Sequence, residues 1–322
     1  MLVTGATGFV GRAFVREALA RGWSVRAAVR SPKDRVADCE TSVVGELGAD
    51  TPWDETLRDR EVVVHLAARV HVMRERVADP SAEFRRVNVD ASARLAERAA
   101  AAGVRRLVFA SSVKVHGEER DAPYTEQDPP APRDGYARSK CEAEERLRAI
   151  GRETGLEIVI VRPPLVYGPG VGGNFLELMR WLDRGIPLPF ASIENARSLV
   201  SRDNLVDFLL SCARHPGAAG ETFLVSDRED LSTPELLRRV AEALGTRARL
   251  FPVPAGLLMR AAAVLGRGPM ARRLCASLRV DAGKAQARLG WTPPVPVDAA
   301  LHATAQHFLR EWRHPSGAPA RT

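Results

Sequence analysis

Met1-Leu2-Val3-Thr4-Gly5-Ala6-Thr7-Gly8-Phe9-Val10-Gly11 opens the chain with an apolar strand, a glycine turn and the start of an amphipathic helix. This order decides the fold. Without side chains at Gly5, Gly8 and Gly11, backbone amides can approach a diphosphate, and the helix N-terminus adds partial positive charge. A glycine triplet can also make a tight turn that binds nothing. Here the strand before it and the helix after it favour a dinucleotide, with Thr7, Phe9 and Val10 completing the loop's contacts.

Outward from that loop, short apolar runs alternate with amphipathic stretches, the pattern of a parallel sheet covered on both faces. Strands are predicted at Met1–Val3, Ser24–Val29, Ser42–Val44, Val62–Leu66, Arg106–Ala110 and Glu157–Val161. Helices are predicted at Gly11–Arg21, Ala82–Ala102, stopped by Gly103, and Gly135–Glu153. The class is α/β, a Rossmann-like doubly wound parallel sheet followed by a smaller mixed α/β C-terminal substrate region. The division is placed at residues 1–167 and 168–322, where Pro163-Pro164 and a crowd of glycines change the rhythm. Ser198–Cys212 reads as strand then helix, so the chain is expected to return there to the first domain. Pro123–Arg133 reads as a loop, and the residues from Pro315 as a loose tail.

The 322 residues are 45% hydrophobic, enough for a large core, with a formal charge of +7. The basic residues are nearly all arginine and read as scattered among acids, which argues against a nucleic-acid groove but leaves room for arginines that serve a diphosphate. Cys39, Cys141, Cys212 and Cys275 show neither metal-ligand nor disulfide spacing, so no metal is expected, and a reducing, cytoplasmic compartment is. Residue 1 leads straight into a strand without a basic n-region, which argues against a signal peptide. The apolar stretch Pro254–Leu265 is too short to span a bilayer and contains Arg260; a buried helix is expected there, with a membrane or partner surface as the alternative.

Two constellations carry chemistry. The second strand ends in Arg30, with Ser31 and Lys33 following, where a carboxylate would accept the ribose hydroxyls of NAD(H). A cationic end suits a ribose phosphate, so NADP(H) is favoured and NAD(H) is the alternative. Tyr136 and Lys140, four apart on a helix, share one face. A phenol with an ordinary pKa near ~10 is a poor base at neutral pH, and a neighbouring ammonium favours the phenolate. Ser111-Ser112 ends a strand at the carboxyl edge of the sheet, where Ser112 can hold a reacting oxygen while Tyr136 moves its proton.

The Gly5–Gly11 loop, His65-Leu66-Ala67-Ala68, Ser111-Ser112, Tyr136 to Lys140, Arg162-Pro163-Pro164-Leu165-Val166-Tyr167-Gly168-Pro169-Gly170 and Val280-Asp281 through Leu289-Gly290-Trp291 resemble the extended short-chain dehydrogenase/reductases, and among these the nucleotide-sugar epimerases and reductases. The likeness covers nearly the whole chain. It implies that Leu66, Ala67 and Ala68 line the cofactor, Glu46 and Leu47 lie near its adenine, Pro163 borders the nicotinamide and Asn88 supports a water network. It further implies that Asn174 and Arg197 meet a nucleotide diphosphate, with Arg273 or Arg272 as a second cation, and that Phe190 contacts a uracil ring. A homodimer through Ala82–Ala102 and Gly135–Glu153 is also implied, with no nucleic-acid partner and no membrane span.

The sequence departs from the family's 4-epimerases at His116, where a Tyr is common, and at Val70, where a Lys is common. Losing that lysine while gaining Arg30 points to an exchangeable cofactor and net reduction. The run His65 to Arg69-Val70-His71-Val72-Met73, with Arg197-Ser198-Leu199-Val200, resembles bacterial enzymes that make 6-deoxy-amino-sugar nucleotides for surface polysaccharide, one of which reduces a UDP-4-keto-6-deoxy-N-acetylglucosamine. Reduction of such a UDP-sugar is the expected reaction. The alternatives are a UDP-hexose 4-epimerase with tightly bound NAD, a small-ketone reductase resembling the dihydroflavonol type, and a non-catalytic dinucleotide sensor.

Overall fold

The computed structural model describes residues 1–34, 36, 38–70, 79–264, 266 and 268–313; His71 to Met73, Leu265 and the tail from Pro315 lie outside them. The strands are β1 (Leu2–Thr4), β2 (Arg26–Val29), β3 (Glu40–Val43), β4 (Val62–His65), β5 (Arg106–Ala110), β6 (Arg120–Tyr124), β7 (Glu157–Arg162), β8 (Leu165–Tyr167), β9 (Leu199–Ser201), β10 (Thr222–Leu224) and β11 (Leu278–Val280). Seven of them form one parallel sheet in the order β10-β7-β5-β4-β1-β2-β3. The order reverses at β1, so the loops after β1 and β4 flank a crevice at the carboxyl edge, the place where open α/β sheets hold ligands.

The strands read as continuous apolar runs because both faces are buried. Alternate residues go to opposite cores: Val3, Val62, Val64, Val108, Val159 and Val161 pack on one side, Leu2, Val63, Leu107, Phe109, Ile158 and Ile160 on the other. Helix α1 (Phe9–Ala20) covers the first face with Phe14 and Ala18. On the other side lie α2 (Asp54–Leu57), α3 (Pro80–Arg85), α4 (Ala91–Ala101) and α5 (Gly135–Thr154), contributing Leu57, Leu95 and Leu147 among others.

The long helix expected over Ala82–Ala102 is broken: a π-helical turn at Arg86–Asp90 separates α3 from α4. Such bulges rearrange the backbone ladder and are frequent at functional sites. This one carries Asn88. Beyond β7 come α6 (Gly173–Asp183), α7 (Arg202–Arg214), α8 (Thr233–Ala243), α9 (Ala255–Val264), α10 (Gly268–Cys275), α11 (Gly283–Leu289) and α12 (Val297–Arg313). Helix α7 returns to the first face of the main sheet through Phe208 and Leu209, and β10 adds the seventh strand. Strand β9 instead pairs with β8, and β11 with β6, in two small parallel sheets. A third core holds Phe175, Leu178, Leu237, Val240, Leu301 and Phe308.

The expectation of a buried helix at Pro254–Leu265 is overturned. None of α9's residues is buried, and Val264 is 88% exposed. No helix among the described residues is long and apolar enough to cross a membrane, and all four cysteines are free thiols.

Candidate active site

The glycine loop is built for close approach. Gly5 has φ +66°, and a Cβ there would fall 2.6 Å from the Ala67 amide nitrogen. A Cβ on Gly11 would overlap the Gly5 carbonyl oxygen. The two loops are therefore packed backbone to backbone, which fixes Leu66, Ala67 and Ala68 beside the N-terminus of α1. The Thr4 hydroxyl accepts from the Ala67 amide at 3.2 Å and lies 2.6 Å from His65 Nδ1. His65 is fully buried, which pushes its pKa down to about 3, Lys140 adding to the fall, so the ring is neutral. Ser92 spends its proton on the Asn88 carbonyl, so His65 Nε2 donates to the Ser92 hydroxyl at 2.9 Å and Nδ1 accepts from Thr4. One hydrogen-bonded chain thus ties β1, β4, the π turn and α4.

Asn88 is fully employed. Its carbonyl accepts from the Arg69 amide at 2.8 Å, and its amide donates to the Arg69 carbonyl and the Ser139 hydroxyl, each at 2.9 Å. It clamps the loop after β4 onto the first turns of α5. That helix starts at Asp134, whose carboxylate accepts from the Ala137 amide at 2.7 Å and receives Lys114 Nζ at 2.7 Å.

The capped helix presents Tyr136 and Lys140 on its inner face. The Tyr136 phenol hydrogen-bonds the Ser112 side chain; burial pushes its pKa up to about 12, Asp134 adding to the rise and Ser112 opposing it. Lys140 is 1% exposed, donates to the Ala110 carbonyl at 2.6 Å and sits 4.2 Å above the Phe109 ring centroid. Burial pulls its pKa down to about 7, Glu144 opposing. Near neutrality Lys140 therefore exists in both protonation states, and the phenol beside it is protonated.

One turn further along α5, Glu144 anchors a buried network. Arg162 grips it in a fork, Nε at 2.9 Å and Nη2 at 2.5 Å, and Ser111 donates to it at 2.5 Å. Arg162 also lies 2.7 Å from His116 Nε2, and His116 stacks on Tyr124. Burial raises the Glu144 carboxyl, but the Arg162 fork brings it below its ordinary range. Burial and Arg162 hold His116 down to about 4, so Nε2 is free to accept from the guanidinium.

Ser112 and Tyr136 open into a cavity of about 560 Å³ that Asn174, Arg197 and Arg273 also line. Its walls are mostly aliphatic, with Val70, Leu165, Val166, Val171 and Leu199 among them. Arg197 is fixed by donating to the Ala276 carbonyl at 2.8 Å; burial and Arg273 lower its pKa while Glu118 opposes. Arg273 has a buried Nε with no hydrogen-bond partner, although its Nη2 lies 3.8 Å from Glu118. Two like charges face each other there, one with an unspent donor, as a diphosphate would require. Arg272 turns instead toward Glu119, 4.0 Å away.

Of the expected site residues, Phe9, Ser112, Tyr136, Asn174, Arg197 and Arg273 line this cavity and the others do not. Phe190 is 9% exposed and packed in the third core, so its ring belongs to the interior and not to the cavity wall. Arg30 and Lys33 are exposed beyond β2, and Arg30 pairs with exposed Glu46 at 3.7 Å; Leu47 is buried and holds Arg86 through its carbonyl. Pro163 accepts from the Val113 amide at 3.0 Å and so ties the end of β7 to the loop that carries Ser112. Sequence reading missed Lys114 and Glu118, which line the cavity and pair at 2.7 Å. The signal was available for Lys114, two residues past Ser112 in the loop that leaves the carboxyl edge. Among the described residues no cluster of His, Cys, Asp and Glu could hold a metal.

Residues 1–226 match the model of the NAD dependent epimerase/dehydratase family. The chain is 42% identical over 314 residues to a UDP-glucose 4-epimerase of Vibrio cholerae, covering 96% of this chain and 95% of that one. It is 31% identical to a ceramide reductase of Caulobacter vibrioides, over 82% of this chain and 76% of the other. Among solved structures, MoeE5 in complex with UDP-glucuronic acid and NAD superposes with a TM-score of 0.76 at 27% identity, covering 96% of this chain and 99% of MoeE5.

Proposed function

The chain belongs to the NAD dependent epimerase/dehydratase family, and on that premise we propose that it moves a hydride between a nicotinamide dinucleotide and C4 of a UDP-linked sugar. The proposed net direction is reduction of a 4-keto-6-deoxy amino-sugar nucleotide, a precursor for surface polysaccharide. The observation that carries the reading is the Ser112–Tyr136 hydrogen bond opening into a cavity that holds Arg197 and Arg273.

The Gly5 and Gly11 cradle, which a Cβ would fill, fits a dinucleotide diphosphate. Gly8, Thr7, Phe9, Val10, Leu66, Ala67, Ala68 and Pro163 complete that side. Bound there, the cofactor supplies or accepts the hydride. The chain's own part is the proton. Ser112 holds the C4 oxygen, and Tyr136 gives it a proton in reduction and takes one in the reverse direction. Protonated Lys140, one turn away, favours the phenolate by its charge. Arg197, Arg273 and Asn174 hold the diphosphate, and the aliphatic wall suits a methyl at C6.

We assign NADP(H) as the preferred cofactor on Arg30, Ser31 and Lys33, with Glu46 as a competitor that a ribose phosphate has to displace. A lower KM for NADH that persists in Arg30→Ala overturns this preference. A homodimer through Ala82–Ala102, which runs from α3 across the π turn into α4, and through Gly135–Glu153 of α5 completes the reading.

The 42% identity to the Vibrio cholerae enzyme favours a second reading, a UDP-hexose 4-epimerase with tightly held NAD. Purified enzyme given UDP-linked hexoses and their 4-keto forms, with and without NADPH or NADH, separates the two by mass and NMR. Reduced product only with added cofactor supports the reductase; UDP-glucose converted without added cofactor supports the epimerase. Undiminished turnover by Tyr136→Phe would remove the phenol from either mechanism.

A further inference from the structure

The arginines are not evenly spread. From residue 243 to residue 280 the sequence holds seven arginines and no Lys, Asp or Glu, whereas the whole chain has 47 basic and 40 acidic residues. The formal charge of +7 therefore resides entirely in this segment, and the rest of the chain is neutral. Arg272, Arg273 and Arg279 face the carboxylates of Glu119, Glu118 and Asp230. Among the described residues no carboxylate lies within ion-pair distance of Arg247, Arg249 or Arg260, and Arg247, Arg249 and Arg260 are exposed.

The same segment carries α9, an apolar helix none of whose residues is buried. Leu258 packs inward against the third core. Spacing of three and four residues then puts Leu257, Arg260, Ala261 and Val264 on α9's outer stripe. Leu257 is 59% exposed, Val264 88%, and Phe251, just ahead of the helix, 44%. The exposed apolar stripe and the chain's excess of arginine thus fall on one segment.

We propose that the outer face of α9, which carries Arg260 and follows the exposed Arg247 and Arg249 in the chain, docks on the surface of an anionic lipid bilayer. Leucine, valine and phenylalanine enter the acyl boundary, and the guanidinium groups meet headgroup phosphates in the plane above it. A second copy docked by the same face is a poor occupant, since it would set the unpaired Arg247, Arg249 and Arg260 against the same three guanidinium groups. The helix has 10 residues, so it lies on the bilayer and does not cross it.

The full chain is tested by flotation with phosphatidylcholine vesicles with and without about 30% phosphatidylglycerol, at low and high salt. Binding at least tenfold stronger to the anionic vesicles, and weakened by salt, is expected. Each arginine near such a surface contributes about fivefold, so Arg260→Glu should weaken binding by at least that factor. Leu257→Glu with Val264→Glu should weaken it about as much while solution turnover and the circular dichroism spectrum stay unchanged. Equal binding to both vesicles, capture of the chain by heparin without capture by vesicles, or anionic binding that survives the Leu257→Glu/Val264→Glu pair each overturns the proposal.

Discussion

Lys140 is held where a lysine is costly, so Lys140→Met should stabilise the cofactor-free enzyme while removing its activity. A pKa drawn down from 10.5 to about 7 means that the protonated form costs about 5 kcal/mol relative to an exposed lysine. The unfolded chain keeps its proton up to 10.5, whereas the folded chain releases it near 7. Between those values the unfolded state binds more protons, and wild-type stability rises with pH by about 1.4 kcal/mol per unit. The penalty is therefore full below pH 7, about 4 kcal/mol at pH 7, about 1.5 at pH 9.5 and gone above 10.5. Methionine removes it at every pH but orphans the Ala110 carbonyl, which costs about 2 kcal/mol. Net, the variant should be about 2 kcal/mol more stable than wild type at pH 7 and level with it or slightly less stable at pH 9.5. Urea unfolding of both proteins at the two pH values reads this directly. A stability difference that does not change with pH would show that Lys140 does not titrate in this window. A less stable variant at pH 7 would show that its contacts outweigh its desolvation.

Glu144→Gln leaves the Arg162 guanidinium buried without its carboxylate fork, and urea unfolding at pH 7 should show a loss of about 3 kcal/mol. Because Arg162 holds Glu144 below its ordinary range, the stability it contributes is present above pH 4.5 and lost as pH falls, so the two proteins should converge in acid. Arg273→Ala should raise the KM for the nucleotide sugar about tenfold, in line with loss of one charge-assisted bond, with kcat changed far less; equal losses in both would assign Arg273 to the chemical step. Gly11→Ala places a Cβ against the Gly5 carbonyl, and isothermal titration should detect no dinucleotide binding by the variant.

The parts legible in sequence are those fixed by local rules. Short apolar runs set between amphipathic stretches made all six expected strands readable, and Asp134, Gly103 and Gly155 mark helix ends by capping or positive φ. What escaped depends on contacts between distant residues. Strand β10 has only Thr222, Phe223 and Leu224, too short for a pattern, and exists because β7 offers it an edge. The π turn at Asn88 hides inside a helical pattern, since one extra residue per turn leaves the apolar spacing nearly intact. Phe190 is an aromatic in a suitable place along the chain that the third core claims. Arg273 could be told from Arg272 only in three dimensions, where one turns into the cavity and the other toward Glu119.

The same helix explains why the reactive groups can be so thoroughly buried. Tyr136, Lys140, Glu144 and Arg148 follow one another at four-residue spacing along the inner face of α5, so the stripe proposed to be catalytic and the charged anchor are one stripe. Glu144, gripped by Arg162 and Arg148 and by the Ser111 hydroxyl, fixes the rotation of the helix about its own axis. Ser111 and Ser112 are consecutive in a chain leaving β5, with one side chain given to Glu144 and the other to Tyr136. Any slip of α5 would therefore break the anchor and the Ser112–Tyr136 bond together. That coupling predicts that Glu144→Gln, although remote from the substrate, lowers kcat more than it raises KM.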